Sequence, residues 1–127
     1  MLFKSLDFVY IPSKNVDNDL KYYVEVIGAE EAFNIKEMGT QVAMVKLGSG
    51  PRLLLAGHLA GEVPILIYRV ENLKKAIKEL KARGWKKEQE VEIPHGPCAT
   101  FVAAGGQRFA IYELVRPEAE GFLRSKI

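Results

Sequence analysis

Slid against itself by 56 positions, the chain places Gly28 on Gly84, Gly50 on Gly106 and Arg52 on Arg108. The segments around the last two, VKLGSGPRLLLAG and FVAAGGQRFAIYE, both run apolar stretch, glycine turn, arginine, apolar stretch. A duplication of this size constrains the fold strongly, because a half of about 50 residues is too small to bury a secure core alone and must close against its twin. Near residue 10 the offset grows to 57 or 58, as if the first half carried one or two extra residues in its first loop.

Periodicity gives both halves the same order. LDFVYIP (6–12) reads as a strand that stops at Pro12. Val16, Leu20, Tyr23, Val24 and Ile27 fall at helical spacing, with Gly28 where a C-terminal cap is expected. Strands at about 31–37, 41–47 and 52–57 follow, the last two joined by the hairpin signal Gly48-Ser49-Gly50-Pro51. In the second half ILIYRV (65–70) is a strand. Asn72 is a plausible N-cap for a helix carrying Leu73, Ala76, Ile77 and Leu80 on one face and ending at Gly84. Strands at about 86–93, 98–104 and 107–115 complete it. Each half is therefore strand, helix, strand, strand, strand: an α+β chain of two tandem βαβββ modules. The single domain spans 1–127, with module one at about 5–57, a linker at 58–63, module two at about 64–116 and a charged, partly exposed tail at 117–127.

The 127 residues are 48% apolar and 27% charged, which excludes disorder, collagen and coiled coil and supplies a core without disulfides or structural metal. A net charge of +2 with scattered Lys and Arg lacks the concentrated basic patch of a nucleic-acid binder. The single cysteine, Cys98, cannot form an internal disulfide and points to a reducing compartment. The start MLFKSLDFVYIP lacks the apolar run of a signal peptide, and no stretch approaches a membrane span. A soluble cytoplasmic protein is expected, with neither nucleic acid nor membrane as partner.

The opening LDFV, the mid-chain PILIYRVENL and the closing GGQRFAIYE, set in a twice-repeated βαβββ unit, resemble the vicinal oxygen chelate superfamily, which includes glyoxalase I, extradiol dioxygenases, fosfomycin-modifying enzymes and bleomycin-resistance proteins. The resemblance spans residues 5 to about 116. It implies that the modules form a curved mixed sheet, a cup with the helices on its outer face, and that the protein is a homodimer. It also implies a divalent metal in the cup, held by one His or Glu from the first and last strand of each module. Mapped one at a time, those four positions are Phe8, Leu54, Ile65 and Ala110, none of which can bind a metal. Glu113 lies three residues beyond the expected glutamate and reads as a solvated or helix-facing strand end. Only Asp7, beside Phe8, could coordinate.

Alternation from these positions sets the rest of the cup's lining. Tyr10, Ile67, Arg69 and Tyr112 join Phe8, Leu54, Ile65 and Ala110, with Arg52, Ala56 and Arg108 on the same face. Such a lining suits a largely apolar or aromatic ligand bearing an anionic or carbonyl group. Side chains that fill the cup are the plainer alternative, and Arg52 and Arg108 read equally as solvated strand starts. His95, in a Pro- and Gly-punctuated loop, is a candidate at the pocket mouth and, with Tyr10, a weak catalytic candidate. The bland reading of each remaining group is structural: an ordinary loop residue for His95, an exposed linker residue for His58, a small buried thiol for Cys98 and core packing for Trp85. The expected function is metal-independent, cofactor-free binding of a small organic molecule, as in bleomycin-resistance proteins. The alternative is a metal-dependent lyase or isomerase drawing non-standard ligands from Asp7, His58, His95 and Glu113. Whether the chain is an enzyme is left open.

Overall fold

The duplicated pattern folds as it reads. The computed structural model describes residues 1–37, 39–59 and 61–118. The first half contains β1 (Phe3–Pro12), α1 (Val16–Tyr22), β2 (Glu30–Glu37), β3 (Thr40–Lys46) and β4 (Arg52–Ala56). The second contains β5 (Ile65–Val70), α2 (Leu73–Ala82), β6 (Gln89–Ile93), β7 (Gly96–Val102) and β8 (Arg108–Glu113). All eight strands join one curled mixed sheet in the order β2-β3-β4-β1-β5-β8-β7-β6. The halves meet where β1 runs antiparallel to β5, and each half returns its last strand parallel to its first, β4 on β1 and β8 on β5. The order is thus the same read outward from the centre in either direction.

Each helix is started by an asparagine whose side chain takes a first-turn amide: Asn15 accepts from the Asn18 N–H and Asn72 from the Lys75 N–H, both at 3.0 Å. The first helix differs from its expected form. Regular α geometry ends at Tyr22, and Tyr23–Ile27 continues as a π-helical turn before Gly28 closes it in the left-handed region. β-branched Val24, Val26 and Ile27 weaken the α-helix there, while Tyr23 and Val24 still pack on the sheet with Val16 and Leu20. Strand ends also move: β7 is Gly96–Val102, two residues earlier than expected at both ends. β1 begins at Phe3, not residue 6, because Phe3 sits edge-on to Tyr68 at 5.5 Å between ring centroids. β6 begins at Gln89, not 86, because Trp85 packs on Phe101. β8 ends at Glu113, not 115, because the Val115 and Arg116 amides turn away to the His95 carbonyl. The expected exposed tail begins with exposed Pro117 and Glu118; from 119 onward it lies outside the described residues.

Alternation divides the apolar residues between the two faces of the sheet. The convex face packs under the helices, Ala43, Val45 and Leu55 beneath α1, and Val70, Ala99 and Ile111 beneath α2. The concave face carries one further cluster, centred on Phe8, Met44, Leu54, Ile65, Ile67, Ala110 and Tyr112. Among the described residues no helix covers it, so the concave face is where a cavity can form.

Candidate ligand-binding site

Two rows of side chains cross the middle of the concave face. Strand pairing aligns Leu54, Tyr10, Ile65 and Arg108 in one row, and Arg52, Phe8, Ile67 and Ala110 in the other. The four positions at which the resemblance implies metal ligands therefore sit in adjacent rows, as it requires. All four are buried in the same cluster, at 5% exposure for Phe8, 4% for Leu54, 6% for Ile65 and 1% for Ala110. Carbon offers a divalent ion no donor, and the residues present do not fit a metal at this place.

Beside the first row opens a cavity of about 470 Å³. Buried Phe33, Leu54, Ile65, Ile67, Cys98 and Ala110 form its depth, with half-buried Tyr10, Ile35, Val42, Leu59 and Ile93 around them. Its polar lining stands at the mouth: exposed Glu37, Thr40, His58, Gln89 and Glu92, and half-buried Thr100 and Arg108. Arg108 is 3.7 Å from the Glu88 carboxylate, and Glu92 pairs with Arg116 at 2.5 Å. Two titratable groups face the interior. Burial pushes the Cys98 thiol up to about 12, with Glu92 adding to it, and burial raises Tyr10 well above the ordinary phenol range, with Cys98 adding to it. Both are neutral at any physiological pH, so the interior carries no charge.

The other end of the concave face is polar. The register of β1 against β5 slips between Leu6 and Phe8, a bulge at Asp7. The Asp7 carboxylate there accepts hydrogen bonds from the Ser5 hydroxyl at 2.6 Å and the Tyr112 hydroxyl at 2.5 Å, and lies 4.0 Å from the Arg69 guanidinium. Burial raises the Tyr112 pKa, and its hydrogen bond to Asp7 raises it further. Beside this cluster His95 lies 4.7 Å from Phe8 between ring centroids and is only 9% exposed. It is carried by the β6–β7 turn, which is strapped down by the segment after β8. The Arg116 side chain donates to the Pro94 and Ile93 carbonyls at 2.7 and 2.9 Å, while its backbone amide and that of Val115 reach the His95 carbonyl. A second depression of about 470 Å³ lies here, lined among others by Asp7, Phe8, Arg52, His95 and Tyr112.

The residues that sequence reasoning assigned to one cup are therefore divided. Tyr10, Leu54, Ile65, Ile67 and Ala110 line the apolar cavity; Phe8, His95 and Tyr112 line the polar depression. Arg69 lines neither and sits beside Asp7, so of the arginines expected on this face it is Arg108 that lines the apolar cavity. Tyr10 and His95, the two catalytic candidates, line different cavities. His95 belongs to a tight, buried turn, not to an open loop at a mouth. Glu113 accepts a hydrogen bond from the Leu73 N–H at 2.8 Å, capping α2. Asp7, His58, His95 and Glu113 do not converge, and among the described residues no group of three or more His, Cys, Asp or Glu is placed to hold a metal ion. Trp85 packs in the cluster beneath α2. Phe33, Ile35, Val42 and Ile93 line the cavity without having been singled out; alternation along AFNI and QVAM held that signal for the first three.

Neither a family model nor a curated protein matches the sequence. Solved structures do match the fold. A hypothetical protein from Bacillus halodurans superposes with a TM-score of 0.76 at 17% identity, over 88% of this chain and 95% of that one. Methylmalonyl-CoA epimerase from Mycobacterium tuberculosis gives 0.75 at 18% identity over 93% of each chain. A glyoxalase/bleomycin resistance protein/dioxygenase superfamily member from Vibrio splendidus 12B01 gives 0.64 at 10% identity, over 85% of this chain and 97% of that one. The fold is the one the resemblance implied, that of the vicinal oxygen chelate superfamily.

Proposed function

We propose that the chain is a metal-independent small-molecule-binding protein of the glyoxalase/bleomycin-resistance type, its ligand seated in the apolar cavity at the Tyr10 end of the cup. One observation carries this reading. The positions where relatives are expected to hold a metal contain buried Phe8, Leu54, Ile65 and Ala110, and directly beside them the same face leaves room for a ligand. Pockets of about 300 to 1,000 Å³ with apolar walls and few polar groups are the usual form of small-molecule sites. The likeness to methylmalonyl-CoA epimerases supports a cup that accepts organic molecules, since one such enzyme is solved with methylmalonyl-CoA bound. The donor chemistry here departs from a metal-assisted reaction.

In this reading the whole chain works as one domain in the cytoplasm, and two copies form a homodimer, as the resemblance implies. No helix among the described residues is long and apolar enough to cross a membrane.

The test is a thermal-shift screen of small aromatic and alicyclic molecules on chelator-treated protein. A ligand that binds only the folded state raises the midpoint by mass action. Hits are expected from apolar molecules, and Ile35→Trp, which narrows the cavity, should abolish their shifts. A screen in which only metal ions shift the midpoint, at one ion per chain, would refute the reading.

A further inference from the structure

The charges on the concave face do not lie where an anionic ligand would need them. Arg69 is held beside Asp7, 4.0 Å from its carboxylate. Arg52 lines the other depression. Arg108, at the end of the row that holds Tyr10, lines the cavity but lies within 3.7 Å of Glu88, and the lining also carries the exposed Glu37 and Glu92. In the interior, the one strong hydrogen-bond donor is the Tyr10 hydroxyl, which has no hydrogen-bond partner among the described residues. It stands in the row between Leu54 and Ile65, both buried. Burial keeps it protonated, so it can donate at neutral pH.

We infer that the cup selects uncharged, largely apolar molecules bearing one hydrogen-bond acceptor, a carbonyl or ether oxygen, that receives the Tyr10 hydroxyl, and that it rejects carboxylates. The inference rests on the binding reading above and sharpens it. A carboxylate drawn into these walls would lose its hydration and find only the Arg108 guanidinium, already facing Glu88, among the acidic side chains Glu37 and Glu92. A neutral carbonyl loses far less and gives the phenol the partner that no described residue supplies. The cup expected from sequence suited an anionic or a carbonyl group alike; of the two, the carbonyl is kept.

Three probes of one shape separate the possibilities: 2-acetylnaphthalene, 2-ethylnaphthalene and 2-naphthoate, titrated calorimetrically at neutral pH into the full chain, the Tyr10→Phe variant and the Ile35→Trp variant. The ketone is expected to bind roughly fivefold or more tighter than the hydrocarbon, the effect of one hydrogen bond, and at least about tenfold tighter than the carboxylate. Tyr10→Phe should bring ketone and hydrocarbon to parity by weakening the ketone. Ile35→Trp should weaken both. Naphthoate binding as tightly as the ketone, or a ketone advantage that survives Tyr10→Phe, would overturn the neutral-ligand selectivity while leaving the cavity as a binding site. If none of the three binds, or Ile35→Trp changes nothing, the binding reading itself fails and the selectivity with it.

Discussion

Gly96 shows how closely the second module is assembled. A methyl group at this position would lie 1.9 Å from the Glu113 carbonyl oxygen, which is backbone and cannot move aside cheaply. Gly96→Ala is expected to cost roughly 2–4 kcal/mol in urea unfolding; a cost below about 0.5 kcal/mol would mean that β7 and β8 are not held as described. Two residues on, Cys98 gives a pH dependence. Its folded value of about 12 lies above the ordinary 9.0, so the neutral thiol contributes stability that is present below pH 9 and is lost as pH rises toward 12. Tyr10 and Tyr112, also raised from 10.0, act in the same direction at higher pH. The urea midpoint is expected to fall from about pH 9 upward, and Cys98→Ser should remove the earliest part of the fall. A Cys98→Ser slope identical to that of the unaltered chain would contradict the assignment.

At the scale of elements, α2 is started by two side chains from different places. Asn72 takes the Lys75 amide, and Glu113, from the end of β8, takes the Leu73 amide. Glu113→Ala should cost about 1 kcal/mol, the worth of a cap and of negative charge at a helix start, with no change in cavity binding. A loss of ligand binding at unchanged stability would show that Glu113 serves the site instead. The strap after β8 is a second such link. Arg116→Ala removes the bonds to Ile93 and Pro94 and should speed hydrogen exchange at the Val115 and Arg116 amides by about tenfold, leaving β1 and β5 protected. Equal acceleration across the sheet would mean global destabilisation, not release of the strap. The elements themselves were legible: helical spacing, the Asn72 cap and glycine turns placed both βαβββ runs. The π-helical turn was not, because Ile27 keeps helical spacing whether the turn is α or π, and only the three β-branched residues hinted at it.

Across the whole molecule, the duplication accounts for the architecture, and the concave face accounts for the function proposed. Alternation from Phe8 and Ile65 put Tyr10, Leu54, Ile67, Ala110 and Tyr112 on that face correctly, since a strand has only two sides. It could not show that the β6–β7 turn folds His95 onto Phe8 and parts the apolar cavity from the polar depression, because that depends on contacts between Arg116 and Pro94 across 22 residues of sequence. Nor could it show that a bulge at Asp7 gives Arg69 a partner away from the cavity. The central claim is that the cup binds its ligand without a metal. Calorimetric titration of 2-acetylnaphthalene into the chain, with excess EDTA and again with added nickel, zinc or manganese, tests it most directly. The same affinity is expected in every case, with a stoichiometry of one ligand per chain; binding that disappears with EDTA and returns with one metal ion per chain would overturn metal-independent binding.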